Sequence, residues 1–382
     1  DPVVFLGDYI YETTGDPAFQ STNTLRDVTF TDREGALVQR SGIFTYYAAA
    51  SLSNYRELYK NLRSGPIMQQ VHERYPFINV WDDHEFSDDC WGSNATYLDG
   101  RRDEKQDERR RNAEQAFFEY LPIDTSGTAG EGAIDPGSEP KFPQTRIYRD
   151  FDFGQHVKLI VTDYRTYRPD HLIPEDAYPA TVVMDQAVLT ALGAAPAFTS
   201  DLFAYVDIDA QEYAPYKGAL QQVYVALAMQ AGLTQAEATE KAGTWVKGNL
   251  ALEYIKQVLA QLPEEQRPPD ISPTDKPKGL AYLHMGKQSL FDIRGTRYIV
   301  VKDTYDLYAQ YRYATTQKSS EDAWGTAQET WVKEKLEATN TWKVVVSSVS
   351  FTSLVWDLRA KTDIPDSNLR QRFYFNADQW DG

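Results

Sequence analysis

Four short runs in this chain are apolar at nearly every position: VVFL (3–6), FINVW (77–81), KLIVT (158–162) and KVVVSS (343–348). Such runs, rich in Val and Ile and without alternation, predict strands buried on both faces, as in a parallel or mixed sheet covered by helices. Between the first two, TYYAAASLSNYRELYKNL (45–62) and PIMQQVHERY (66–75) repeat their apolar positions at three and four residues, which predicts two helices broken at Gly65. DERRRNAEQAFFEYL (107–121) predicts another, stopped by Pro122, and its RRR run (109–111) reads as a solvated face. RIYRDFDFGQHVKLIVTDYR (146–165) predicts a hairpin turning near Gly154, and GKQSLFDIRGTRYIVVKDTYDLY (286–308) a second one turning at Arg294-Gly295.

From about 185 to 280 Ala, Gln and Leu dominate, and LQQVYVALAMQ (220–230) and ALEYIKQVLAQL (251–262) repeat with a helical period. This reads as a mostly helical insertion that leaves through the proline-rich PPDISPTDKPKG (268–279). The predicted organisation is an α/β core in two parts, 1–184 and 281–382, with the insertion at 185–280 between them.

Composition narrows the function. With 56 Asp and Glu against 39 Lys and Arg, the net charge is −17, a field that repels phosphate backbones and argues against nucleic-acid binding. Local arginines or metal ions would still let such a protein handle phosphate esters. Nowhere do 18 consecutive apolar residues occur, so no membrane-spanning helix is predicted. Cys90 is the single cysteine, which leaves no intrachain disulfide. A G-x-S-x-G elbow, a P-loop and a dinucleotide glycine fingerprint are all missing from the sequence.

Three of the four apolar runs end in acids: Gly7-Asp8, Asp82-Asp83-His84-Glu85, and Asp163 followed by Tyr164 and Arg165. In α/β sheets ligands bind beyond the carboxyl ends of the strands, so these side chains are placed to converge. A lone acid there is most simply a cap or turn residue, but three carboxylates and an imidazole within WDDHE repel one another unless cations sit among them. Carboxylate, imidazole and phenol together suit hard or borderline ions, Ca²⁺, Mn²⁺, Zn²⁺ or iron, although Tyr11 by itself reads more simply as a packed aromatic among 25 tyrosines. Arg165 and Arg168 of DYRTYR are candidates to bind phosphate, while Arg beside Asp is also the composition of a structural ion pair. His72, His156, His171 and His284 lack acidic neighbours at ligand spacing and read as structural.

LGDYIYE (6–12), VWDDHEFSDD (80–89), DYRTYR (163–168), WGTAQETWVKEKL (324–336), WKVVVSSVSF (342–351) and NADQWDG (376–382) follow one another in an order that resembles the PhoD-like alkaline phosphatases and phosphodiesterases, a branch of the calcineurin-like metallophosphoesterases. The resemblance covers most of the chain outside 185–280. It implies a two-layered mixed β-sheet core flanked by helices, and an exported enzyme, periplasmic or secreted. It also implies hydrolysis of phosphate monoesters or diesters, on small molecules or phospholipids, by metal-activated hydroxide with Ca²⁺ and Fe³⁺. Carried over by motif, Asp8 is the implied metal-bridging acid and Tyr11 the Fe³⁺ phenolate ligand. Asp83 stands where related phosphoesterases have a metal-binding Asn, and His84 follows as a site residue. Asp88 and Asp89 stand where family members often carry two asparagines, one of which reaches calcium. The family's first ligand, a cysteine on a strand before the GD motif, and a later GD-x-H set have no counterpart within residues 1–382. The resemblance therefore implies an internal piece that by itself binds metal incompletely and turns over little. A noncatalytic calcium-binding or interaction protein on the same scaffold is the second reading, and a metal-free carboxylate-pair glycosidase the third.

Overall fold

The computed structural model of the chain describes residues 2–15, 28–41, 44–95, 104–121, 123, 141–174, 177–194, 202–230, 233–286, 299–337 and 342–375. They form two compact units, Asp1–Pro169 with Glu321–Phe351, and Asp170–Ser320 with Thr352–Asp381.

Along the first unit run β1 (Val3–Phe5), β2 (Thr13–Thr14), β3 (Leu37–Ser41), β4 (Phe44–Ala48), α1 (Leu52–Ser64), α2 (Pro66–Arg74), β5 (Phe77–Asn79), α3 (Asp107–Tyr120), β6 (Arg149–Phe153), β7 (Val157–Val161), α4 (Gly325–Glu337) and β8 (Trp342–Val346). Strands β1 and β5 pair in parallel, Val3 opposite Phe77. The hairpin β6–β7 turns where Gly154 takes φ +63°, and β8 lies parallel to β7 with Val344 opposite Leu159. Val4 and Ile78 from the first sheet pack with Leu159, Val161 and Val346 from the second, so the two sheets share one apolar cluster. The class is α/β, as the order of elements predicts.

On the other side of the site-bearing loops, Tyr55 and Tyr59 of α1 and Phe117 of α3 build a second cluster with Trp81 and Phe86. The segment 44–48, taken for the start of a helix, is strand β4, paired with β2 and β3. The helix starts only after Ser51, where Ser51 and Asn54 form a capping box that the aromatic and Ala-rich run before it obscures. Gly65 ends α1 and precedes Pro66 of α2, as expected.

Two further expectations are corrected in this unit. Arg109 and Arg110 are buried rather than solvated: Arg109 Nε donates to the Ala49 carbonyl (2.6 Å), and Arg110 pairs with Glu114 (3.0 Å) over the ring of Trp81. Strand β8, at the edge of its sheet as described, exposes Trp342 and Val344, so it is not covered on both faces.

In the second unit, Val182–Asp185, Lys278–Ala281, Phe203–Asp207 and Asn249–Ala251 form an antiparallel sheet in that order. Helices Ala214–Gln230, Gln235–Trp245 and Leu252–Leu259 accompany it, with Leu220, Val223 and Ile255 packed against Val206 and Leu250. The segment 268–277 carries neither helix nor strand, consistent with its prolines. Ile299–Val301 pairs with Arg372–Phe375, which pairs with Leu354–Asp357. The expected arm DTYDLY is instead part of helix Lys302–Thr315, whose buried Thr304, Leu307 and Tyr308 recur at helical spacing. The turn at Arg294-Gly295 and the NADQWDG motif lie outside the described residues. No helix among the described residues is long and apolar enough to cross a membrane.

Candidate metal centre

Because β1 and β5 are parallel and in register, the loops that leave them emerge side by side. The Val80 N–H donates to the Phe5 carbonyl (3.1 Å), which carries the pairing up to the first acids. At Gly7 the two backbones touch: φ is +105°, and a Cβ there would lie 2.3 Å from the Asp82 nitrogen and 2.8 Å from the Trp81 carbonyl carbon. Only glycine fits such an approach. Asp8 follows with φ +56°, a left-handed conformation that aims its carboxylate at the WDDHE loop.

Two groups of potential ligands result, Asp8 with Asp83 and His84, and Asp83 with Asp88 and Asp89; within each, one ligand atom per residue lies within 4.8 Å of the others. Asp83 is common to both groups, while Asp8, the acid expected to bridge, belongs to the first. Asp83 Oδ1 accepts from the His84 N–H (3.0 Å) and Oδ2 from the Asp89 N–H (2.6 Å). The ring of Tyr11 lies against that of His84, centroids 4.3 Å apart, which brings it beside the first group.

Arg165 is wholly buried, with Nε donating to Asp82 Oδ1 (2.7 Å) and Nη2 3.5 Å from Asp83 Oδ2. It is the internal counter-charge of the WDD acids. Arg168 is also buried, its Cζ 5.5 Å from the centre of the Tyr164 ring. Asp163, the third strand-ending acid, is a turn anchor. Its Oδ1 accepts from Trp81 Nε1 (3.0 Å) and from the N–H groups of Arg165 and Thr166 (both 3.1 Å).

Two glutamates hold this arrangement: Glu12, to which the sequence pattern assigns no role, and Glu85, the last acid of WDDHE. Glu12 is buried between the groups: Oε2 lies 2.6 Å from His84 Nδ1, and Oε1 accepts from the Asp88 N–H (2.7 Å). Glu85 accepts from the N–H groups of Asp8 (3.1 Å), Tyr9 (2.5 Å) and Asp82 (2.8 Å). For Glu12 the sequence signal was its neighbour Asp8; Glu85 stood within WDDHE, but its role there did not show.

Seven carboxylates, those of Asp8, Glu12, Asp82, Asp83, Glu85, Asp88 and Asp89, thus share one small volume with Arg165 and His84. Their ionisation shows the crowding. Burial, then the charge of Asp83, pushes Asp8 up to about 8, and burial pushes Glu85 to about 7 against the pull of its three N–H donors. Burial would raise Asp83 too, but Arg165 and His84 outweigh it and hold that carboxyl well below its ordinary value. For His84 burial lowers the pKa, while Glu12 and Asp83 overcome it and raise it well above the ordinary imidazole range. Cys90 is buried beneath the loop, its thiol pushed up to about 12 by desolvation, which makes it a packing residue.

The donor set fits metal ions. Asp8 Oδ1 is buried without a hydrogen-bond partner among the described residues, an arrangement that costs free energy unless a cation takes the oxygen. The all-carboxylate group Asp83, Asp88 and Asp89 suits a hard ion such as Ca²⁺, and the group with His84 and the neighbouring Tyr11 suits a borderline or ferric ion.

Against known proteins, the model of the PhoD-like phosphatase family matches residues 1–200, which include every residue of both groups. Alkaline phosphatase D of Bacillus subtilis (strain 168) is 28% identical over 170 residues, 44% of this chain and 24% of that protein. The chain thus spans about a quarter of the length of that relative. A solved structure described as that of PhoD is 25% identical over 47% of this chain and 29% of its own, with a TM-score of 0.34. With its acids arranged at the ends of two parallel strands and the family match extending over more than half of its length, the chain belongs to the PhoD-like phosphatase family.

Proposed function

We propose that the whole protein hydrolyses phosphate monoesters or diesters in a metal-dependent reaction, outside the cytoplasm, with Ca²⁺ and Fe³⁺ as the ions. The observation that carries this reading is the pair of ligand groups sharing Asp83 beside a buried, partnerless Asp8 oxygen. Asp8, Asp83, His84 and Tyr11 would hold one ion, and Asp83, Asp88 and Asp89 the other. Bound there, two cations would supply Lewis acidity toward a phosphoryl oxygen and lower the pKa of water.

The chain's own residues do the rest. With Nδ1 held by Glu12 (2.6 Å), His84 directs Nε2 toward the second group, 3.6 Å from Asp88 Oδ1, where it would bind an ion or pass a proton to the departing oxygen. Arg165, with His84, keeps Asp83 ionised, so Asp83 meets a cation as a carboxylate. Small phosphate esters or phospholipid headgroups fit the acidic surroundings only with such ions in place, because the net charge of −17 repels an anionic substrate.

Asp83 is the decisive residue to remove. In the whole protein, Asp83→Ala lowers kcat/KM for bis-p-nitrophenyl phosphate by at least about 10³-fold and reduces bound metal. Turnover near the wild-type rate with unchanged metal content would sink the assignment.

A further inference from the structure

Glu85 belongs to neither ligand group, yet it is buried at their root. Its Oε2 accepts from the N–H of Asp8 (3.1 Å) and of Asp82 (2.8 Å), and its Oε1 from the N–H of Tyr9 (2.5 Å). The three donors come from both of the loops that touch at Gly7. Three N–H groups converging from two loops need two acceptor atoms at the reach of a glutamate. Glutamine offers one oxygen and turns an NH₂ toward N–H donors, and aspartate is a methylene short. Asp8 in its left-handed conformation costs about 1 kcal/mol or more, a strain that persists only where the surroundings over-determine it.

We infer that Glu85 is a positioning residue for the metal centre: by clamping the main chain of Asp8 and Tyr9 to that of Asp82, it sets Asp8 and Asp83 at binding distance before any cation arrives. The inference rests on the metal-dependent reading above. Its energetic content is preorganisation, since without the clamp the binding of an ion must also order two loops.

The test titrates Mn²⁺ into the whole protein by calorimetry for wild type, Glu85→Gln and Asp150→Asn. The last removes the charge of an equally buried acid whose partners, Lys158 and Lys335 (both 2.9 Å), lie off the two loops. Glu85→Gln is expected to weaken Mn²⁺ binding about 10–100-fold, while Asp150→Asn stays within about threefold of wild type. A folded Glu85→Gln chain with wild-type Mn²⁺ affinity overturns the inference.

A second measurement needs no variant. In the wild-type, metal-free chain the amide hydrogens of Asp8, Tyr9 and Asp82 are expected to exchange as one unit, at least about 100-fold slower than unprotected amides. Unprotected exchange at these three, with β1 and β5 protected, overturns the clamp whether or not Mn²⁺ binds. Failure of wild type to bind Mn²⁺ counts against the metal reading alone, and the exchange data then decide the clamp.

Discussion

Gly7 is the residue on which the geometry of the centre turns. Any side chain there meets the Asp82 nitrogen at 2.3 Å in a backbone conformation that already disfavours L-residues. Gly7→Ala must therefore push the β1 and β5 loops apart, and it is expected to destabilise the chain by about 3 kcal/mol or more in urea titrations. A loss below about 0.5 kcal/mol would show that the close approach is not real. Gly7-Asp8 and the WDDHE acids were legible in the sequence because an apolar strand ending in acids is a local pattern. Glu12 was not, nor was the part Glu85 plays. Their partners stand 72 to 77 residues away, His84 and Asp88 for Glu12, Asp8 and Tyr9 for Glu85, and no local period encodes a contact of that span.

At the scale of elements, α1 and α3 brace the ligand loop from behind. Tyr55 of α1 donates to the Phe86 carbonyl (2.7 Å), and Arg109 of α3 reaches both Ala49 and Phe86. Next to it Arg110 and Glu114 form a pair that is almost fully buried, with Thr145 donating to Glu114 (2.6 Å). Removing one member leaves the other as an uncompensated buried charge. Arg110→Leu is thus expected to cost about 3–5 kcal/mol, and the Arg110→Leu/Glu114→Leu double variant less than that, in equilibrium denaturation. A double variant as damaged as the single one would show that the pair contributes more than mutual neutralisation. Arg109 and Arg110 look solvated in isolation because acceptors that hold them lie in other segments: Ala49 and Phe86 for Arg109, Thr166 for Arg110. The same limit applies to β4, whose strand character depends on pairing with β2 and β3. By contrast the hairpin at Gly154 and the helices 66–74 and 107–120 were legible, since a turn glycine, a break at Gly65-Pro66 and apolar period suffice to specify them.

For the molecule as a whole, the crowding of acids makes stability a function of both pH and metal. Burial pushes Asp8 up to about 8 and Glu85 up to about 7, above the ordinary carboxyl range, so the metal-free folded state holds protons that the unfolded chain has released. Their contribution is complete below pH 4 and is lost as pH rises to 8; His84, also raised, changes stability in the same direction above its ordinary value. Asp83, lowered by Arg165 and His84, acts oppositely, but only in acid below its ordinary value. Between pH 5 and 8 the signs therefore agree, and the chelated protein is expected to lose on the order of a few kcal/mol. General repulsion from the net charge of −17 adds a slope of the same sign, so the measurement needs Asp8→Asn as its reference. That variant keeps the fold's other charges and removes the Asp8 titration, and its melting temperature should fall less steeply across this range than that of wild type. Addition of Mn²⁺ should raise the wild-type melting temperature more at pH 8 than at pH 5, because at pH 5 the ion competes with the proton on Asp8. Equal pH slopes for wild type and Asp8→Asn would mean that the acids do not share the buried volume in which the structure places them.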